Sequence, residues 1–227
     1  MKRLQAMLLA TVAVALLGAL APTTALAGES LSPAVALAPA ATHAQDVAPD
    51  VVLKAVMLEV IAFIKAEHAA PSVSVDKVTA FVESRILPLF DFPRMTQIAM
   101  GRNWSLATPA QQKALTHEFR TLLVRTYSVA LSSYHDQIIE YKPLRTAPGA
   151  AEVTVKSEVK QAGAERMTID YDMEKTVGGW QVYDVKIIGL SLVTTYRSTF
   201  VGRVRDVGID GLIKALADKN QQNALKS

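Results

Sequence analysis

The residues of this chain that could do chemistry are four histidines and a few serines and aspartates. His43, His68, His117 and His135 form no ligand spacing such as H-E-x-x-H, and the chain has no cysteine to complete a zinc set. No metal site and no cofactor are expected. Ser132, Ser133, His135 and Asp136 are neighbours in sequence, but triads are assembled in space and no G-x-S-x-G elbow is present. That run reads as a polar helix end entering a turn. No phosphate loop or G-x-G-x-x-G occurs. Asp170 and Asp172 share a strand face with Thr168. They are either an acid–base pair or a solvated strand surface, and the second reading is preferred. Asp184 lies in a strand with apolar residues on both faces, which reads as central. A buried aspartate wants a cation, and Arg197 or Arg125 could supply it. A structural role is preferred for Asp184, with an active-site base as the alternative. No catalytic residue is assigned.

The elements that would position these residues follow from periodicity. Asp50–Glu67 carries Val52, Val56, Val60, Phe63 and Ile64 on one helical face. A second helix is expected over Val75–Leu87. A third has Pro93 in its first turn, runs to Met100 and ends at Gly101. Thr108-Pro109-Ala110-Gln111 is a capping box opening a long helix to about Tyr134. The period then drops to two. Strands are expected over Gln137–Tyr141, Ala151–Lys160, Arg166–Met173 and Trp180–Ile188, linked by Gln161–Ala164 and Gly178-Gly179. Helices over Ser191–Val207 and Asp210–Asn220, broken at Gly208, close the chain. This order predicts an α+β fold, a curved antiparallel sheet of about four strands covered on one face by helices. A curved sheet under helices can enclose an apolar cavity suited to a lipid or another hydrophobe, though the same composition also fills an ordinary core.

The N-terminus reads as an export signal. Lys2 and Arg3 precede an uncharged run from Met7 to Ala21, and Ala25-Leu26-Ala27 is a small-x-small cleavage site. The run would span about 22 Å as a helix, against about 30 Å for a bilayer core. A cleaved signal over residues 1–27 is therefore expected, with an alternative cut after Ala44. There is no cysteine to lipidate. Residues 28–48 are rich in Ala and Pro and read as a disordered linker. The folded domain is expected over 49–220, with a tail at 221–227. Losing Lys2 and Arg3 takes the formal net charge from +3 to +1, too little for a nucleic-acid partner. The expected compartment is the periplasm, and a monomer is expected.

One ordered set of strings is more specific. It begins with Leu89-Phe90-Asp91-Phe92-Pro93-Arg94-Met95, Gly101-Arg102-Asn103-Trp104 and Thr108-Pro109-Ala110-Gln111-Gln112. It continues with Phe119-Arg120-Thr121-Leu122-Leu123-Val124-Arg125-Thr126-Tyr127 and Gly179-Trp180-Gln181-Val182-Tyr183-Asp184-Val185. It ends with Gly189-Leu190-Ser191-Leu192-Val193, Tyr196-Arg197 and Gly208-Ile209-Asp210-Gly211-Leu212. Over about Pro49–Lys219 the chain resembles the MlaC family, also called the toluene-tolerance family. Gln181 departs from that pattern, where a basic residue is expected in many relatives. The resemblance implies a non-enzymatic periplasmic phospholipid carrier. It would shuttle glycerophospholipid between an outer-membrane lipoprotein–porin complex and an inner-membrane ABC transporter complex, and so maintain outer-membrane lipid asymmetry. The acyl chains would lie in the cavity, with the head group near solvent. A small periplasmic enzyme acting on a hydrophobic substrate in the same fold is the alternative.

Periodicity together with that implied cavity selects the candidate lipid-lining residues. From the strands they are Val153, Val155, Met167, Ile169, Tyr171, Val185 and Ile187. From the helices they are Leu122, Tyr127, Leu192 and Tyr196. Trp104, Trp180 and Phe119 are assigned to the core. Arg94, Arg102, Arg120, Arg125 and Arg197 are expected to brace loops through hydrogen bonds, with partner docking as the alternative for exposed ones.

Overall fold

The structure is a computed structural model. It describes residues 47–68, 80–131, 137–147, 149–161, 163 and 165–224. The signal, most of the linker and much of the expected helix over 75–87 lie outside the described residues. So do His43, Ser132, Ser133, His135 and Asp136.

Helix α1 spans Pro49–His68. Where the second helix was expected, the described part is a π turn over Val82–Ile86 followed by a 3-10 turn over Leu87–Leu89. Pro88 explains the tightening, because it cannot donate to an α-helical ladder. Helix α2 spans Phe92–Met100. The Asp91 carboxylate accepts the Arg94 amide at 2.8 Å, and Gly101 closes the helix with φ 55°. A 3-10 turn over Gly101–Leu106 leads to helix α3, Pro109–Leu131. The capping box forms as read: the Gln111 amide donates to Thr108 Oγ1 at 3.2 Å and the Thr108 amide to Gln111 Oε1 at 3.0 Å.

The sheet is an open antiparallel meander in the order β1 (Ile138–Tyr141), β2 (Glu152–Lys160), β3 (Met167–Thr176), β4 (Gly179–Ile187) and β5 (Leu190–Ser191). It thus has five strands, the last only two residues long. That short strand turns back on β4, pairing Leu190 with Ile187 and Ser191 with Lys186. Further along the same strand, Phe90 bridges to Val182, and the Asp91 amide donates to the Val182 carbonyl at 2.9 Å. These contacts cap part of an edge that would otherwise offer unpaired backbone.

One irregularity corrects the reading of β4. Asp172 pairs with Asp184, but Met173 pairs with Val182, so Tyr183 is an extra residue in a bulge. The bulge shifts the phase of alternation. Trp180 and Val182 before it, and Val185 and Ile187 after it, therefore reach the same inner cluster. Apolar residues at both odd and even positions of β4 are this phase change, not burial on two faces.

Helix α4 spans Leu192–Ala224 and is two helices joined at Gly208, whose φ of 74° and ψ of 179° are non-helical. The expected break is present. Helix continues to Ala224, into the stretch read as a tail.

The apolar core has two main parts. Met95, Met100, Leu115, Phe119, Leu122, Val193, Phe200 and Leu212 bind α2, α3 and α4 together. Leu53 of α1, Leu89 and the inner residues of β2, β3 and β4 form the second part under the sheet. Phe90 and Leu192 pack against both. The architecture is α+β.

Candidate functional site

All seven candidate strand residues fall in the cluster on the sheet's inner face. Register explains this. Val153 pairs with Met173, Val155 with Tyr171 and Val159 with Met167 across β2 and β3, while Tyr171 pairs with Val185 and Ile169 with Ile187 across β3 and β4. Cross-strand partners share a face. Leu122, Tyr127 and Tyr196 instead belong to the helical cluster, where Phe119 meets Tyr196 and Phe200 edge-to-face at 5.1 Å each. Leu192 is the candidate that touches both clusters. The structure therefore divides the candidates into a strand set and a helix set, with Leu192 between them.

An open pocket of about 300 Å³ lies at the Val153 end of the inner face. Its walls are Val47, Ala48 and Pro49 at the start of α1, Thr146, Ala147, Gly149 and Ala150 before β2, and Val153, Lys175 and Trp180. Trp180, assigned to the core from sequence, is half-buried and forms one wall. Phe119 is fully buried, and Trp104 packs partly buried against the helical cluster.

Three hydroxyls interrupt the apolar inner face. Ser157 Oγ donates to the Ile169 carbonyl at 2.9 Å. Tyr171 is buried, and burial pushes its phenol up to about 12. Tyr141 pairs directly with Ser157 across β1 and β2, and the Lys54 ammonium lies 5.5 Å from its ring centre. Sequence reading passed over Tyr141. Alternation with Ile139 in a short strand was the available signal, and both side chains pack on this cluster.

The carboxylates that could have done chemistry are engaged in holding the fold. Asp172 overturns the expected solvated strand surface: it is buried, accepts Thr154 Oγ1 at 2.7 Å and pairs with Lys186 Nζ at 2.6 Å. That hydrogen bond raises the Lys186 pKa above the ordinary lysine value. Asp170 is half-buried, opposite Lys156 and Lys186 in register. Asp184 meets a serine and two backbone amides rather than the expected arginine. Asp184 accepts Ser191 Oγ at 2.5 Å and the amides of Val185 and Val193 at 2.9 and 3.2 Å. Burial pushes its carboxyl above the usual aspartate range, while these three donors pull the other way. Arg197 instead donates to the Ile98 carbonyl at 3.0 Å, and Arg125 to the Asn220 carbonyl. Both arginines tie helix α4 to its neighbours.

Arg94 makes the densest polar contact. Its guanidinium pairs with Glu152 at 2.7 Å and with Glu174, and lies 3.8 Å from the Tyr183 ring centre. It holds Glu152 below the ordinary carboxylate range, whereas burial pushes Glu174 up. Arg120 lies 5.8 Å from the Phe92 ring centre, and Arg102 is exposed. Among the described residues, no three His, Asp or Glu side chains gather to hold a metal ion, and no helix is long and apolar enough to cross a membrane.

Residues 54–218 match the family model of the MlaC protein. The toluene tolerance protein ttg2D of Pseudomonas putida is 26% identical over 129 residues, which cover 56% of this chain and 60% of that relative. A solved structure of a phospholipid-binding protein from Ralstonia solanacearum, in complex with a phospholipid, is 40% identical. It superposes with a TM-score of 0.70 over 78% of this chain and 98% of that one.

Proposed function

The chain belongs to the MlaC family, and on that premise we propose that it is a periplasmic phospholipid carrier. It takes glycerophospholipid from one membrane complex and delivers it to another across the aqueous gap, without catalysis. The partners are an outer-membrane lipoprotein–porin complex and an inner-membrane ABC transporter complex, and the outcome is maintained outer-membrane lipid asymmetry. The observation that carries this reading is the phospholipid held by the Ralstonia solanacearum protein of the same fold. The export signal at residues 1–27, or to Ala44, supplies the compartment.

The physics fits this role. Each methylene kept from water is worth about 0.8 kcal/mol, so two acyl chains resist crossing water by roughly 20 kcal/mol. A carrier must offer matching apolar surface. The inner face of β2, β3 and β4 supplies it, with Val153, Val155, Met167, Ile169, Tyr171, Val185 and Ile187 against the acyl chains. Leu192, at the junction of the two clusters, extends that surface toward Leu122, Tyr127 and Tyr196. The pocket beside Val153 and Trp180 is the opening. The carrier reading is preferred to the enzyme alternative because Asp172 and Asp184 are bonded to Lys186 and Ser191 within the fold.

Native mass spectrometry of protein purified without detergent tests the reading. About one phospholipid per chain is expected. An empty protein that takes up no lipid from vesicles would overturn it. Val153→Trp, which projects an indole into the pocket, is expected to cut loading more than tenfold while the circular dichroism spectrum is kept.

A further inference from the structure

The Tyr141 hydroxyl is buried and has no hydrogen-bond partner among the described residues. Such groups are rare, because burial strips a hydroxyl of water and returns nothing. A phenylalanine would fill the same space without that loss. The neighbouring Ser157 hydroxyl donates its proton to the Ile169 carbonyl and turns its oxygen toward the Tyr171 phenol rather than toward Tyr141. The Lys54 ammonium above the ring is a donor already bonded to Asp50 at 2.6 Å, so it offers Tyr141 no acceptor. Among the described residues no acceptor meets the Tyr141 hydroxyl, which leaves it able to donate to a ligand.

Its position indicates which acceptor. Tyr141 ends β1 and packs on the inner cluster with Val155 and Tyr171. The chain that follows it, at Thr146, Ala147, Gly149 and Ala150, walls the pocket. Tyr141 thus sits on the apolar inner face proposed for the acyl chains, and the chain that runs on from it goes on to wall the pocket. A glycerophospholipid has acceptors and no donors at the boundary between acyl chains and head group, namely its ester carbonyl oxygens. We infer that Tyr141 donates its hydroxyl proton in a hydrogen bond to an ester carbonyl of the bound phospholipid, setting the depth of the cargo and favouring ester-linked over ether-linked chains. This deepens the carrier reading and rests on it.

The test is competitive loading of the delipidated full chain from vesicles holding equal dipalmitoyl- and dihexadecyl-phosphatidylcholine, read by native mass spectrometry. The two lipids share head group and chain length and differ in the carbonyls. Wild type is expected to favour the diester about five- to tenfold, the worth of one neutral hydrogen bond. Tyr141→Phe is expected to bring the ratio within twofold of unity, and the empty variant to melt no lower than empty wild type. Loading of both lipids by wild type without preference would overturn the assignment alone. So would a preference retained by the variant, or a lower melting temperature of the empty variant, which would reveal a structural partner. Uptake of neither lipid by wild type would overturn the carrier reading, and the assignment with it. A wild-type ratio near unity overturns the assignment even if Tyr141→Phe fails to fold, and Tyr141→Leu then carries the same comparison.

Discussion

Ser191 Oγ donates to Asp184 at 2.5 Å and accepts the Thr194 amide at 3.0 Å. One hydroxyl therefore joins strand β4 to the first turn of helix α4. Asp184 reinforces the joint by accepting the Val193 amide. The carboxylate satisfies amide donors that a helix start leaves open. Ser191→Ala is expected to cost about 1 kcal/mol and Asp184→Asn about 2–3 kcal/mol in urea unfolding, because an amide has one acceptor oxygen for three donors. An unchanged midpoint for Asp184→Asn would show that the joint contributes nothing.

Arg94 ties α2 to three strands through Glu152, Glu174 and the Tyr183 ring. Arg94→Ala is expected to lower stability by about 1.5–3 kcal/mol. Arg94→Lys should recover less than half, since an ammonium lacks the planar fork and the stacking surface. The Glu152 share has a defined pH sign. Its folded pKa is depressed, so that stabilisation is present above the ordinary carboxylate range and is lost as pH falls through the depressed value. Equal stability of the Ala and Lys variants would support this account; wild-type stability in either would refute it.

Five of the six tyrosines resist ionisation. Burial pushes Tyr171 and Tyr183 up to about 12, and raises Tyr127, Tyr141 and Tyr196 as well. The sixth, Tyr134, lies outside the described residues. Phenols whose folded pKa is raised contribute stability that is complete below about pH 10 and lost as pH rises through the folded values. Tyrosinate absorbance at 295 nm should therefore be delayed and should rise together with loss of far-ultraviolet ellipticity. Full ionisation near pH 10 with the fold intact would contradict the burial of these rings.

Gly208 adopts a backbone that side chains rarely tolerate, at φ 74° and ψ 179°, although no atom lies within 4 Å of an added Cβ. Gly208→Ala is expected to cost about 1–3 kcal/mol through backbone strain alone. Gly202 lies in regular helix with equally open space around it. Gly202→Ala should gain about 0.5–1 kcal/mol. Thermal unfolding should separate the two in opposite directions, and a shift in the same direction would show that Gly208 does not set the kink.

Local pattern in the sequence settled the elements and the composition of the inner face. Alternation in Val153, Val155 and Val159 specified β2, because a strand has period two and one face must be buried. The Thr108–Gln111 box and Gly101 placed helix ends, because their partners are within four residues. The ordered strings from Leu89 to Leu212 carried the family. Everything that depends on meeting across the fold was decided only in three dimensions. The bulge at Tyr183 reversed the phase of β4, since register is fixed by pairing with β3 and not by β4 alone. Asp184 found a serine and backbone amides where a distant arginine was expected, because a helix start lies beside it in space. Leu122, Tyr127 and Tyr196 fell into the helical cluster, although their spacing resembles that of any apolar helix face. Tyr141 read as one more aromatic residue in a short strand. That its hydroxyl is buried without an acceptor among the described residues is a property of every surface packed around it, and no local pattern records that.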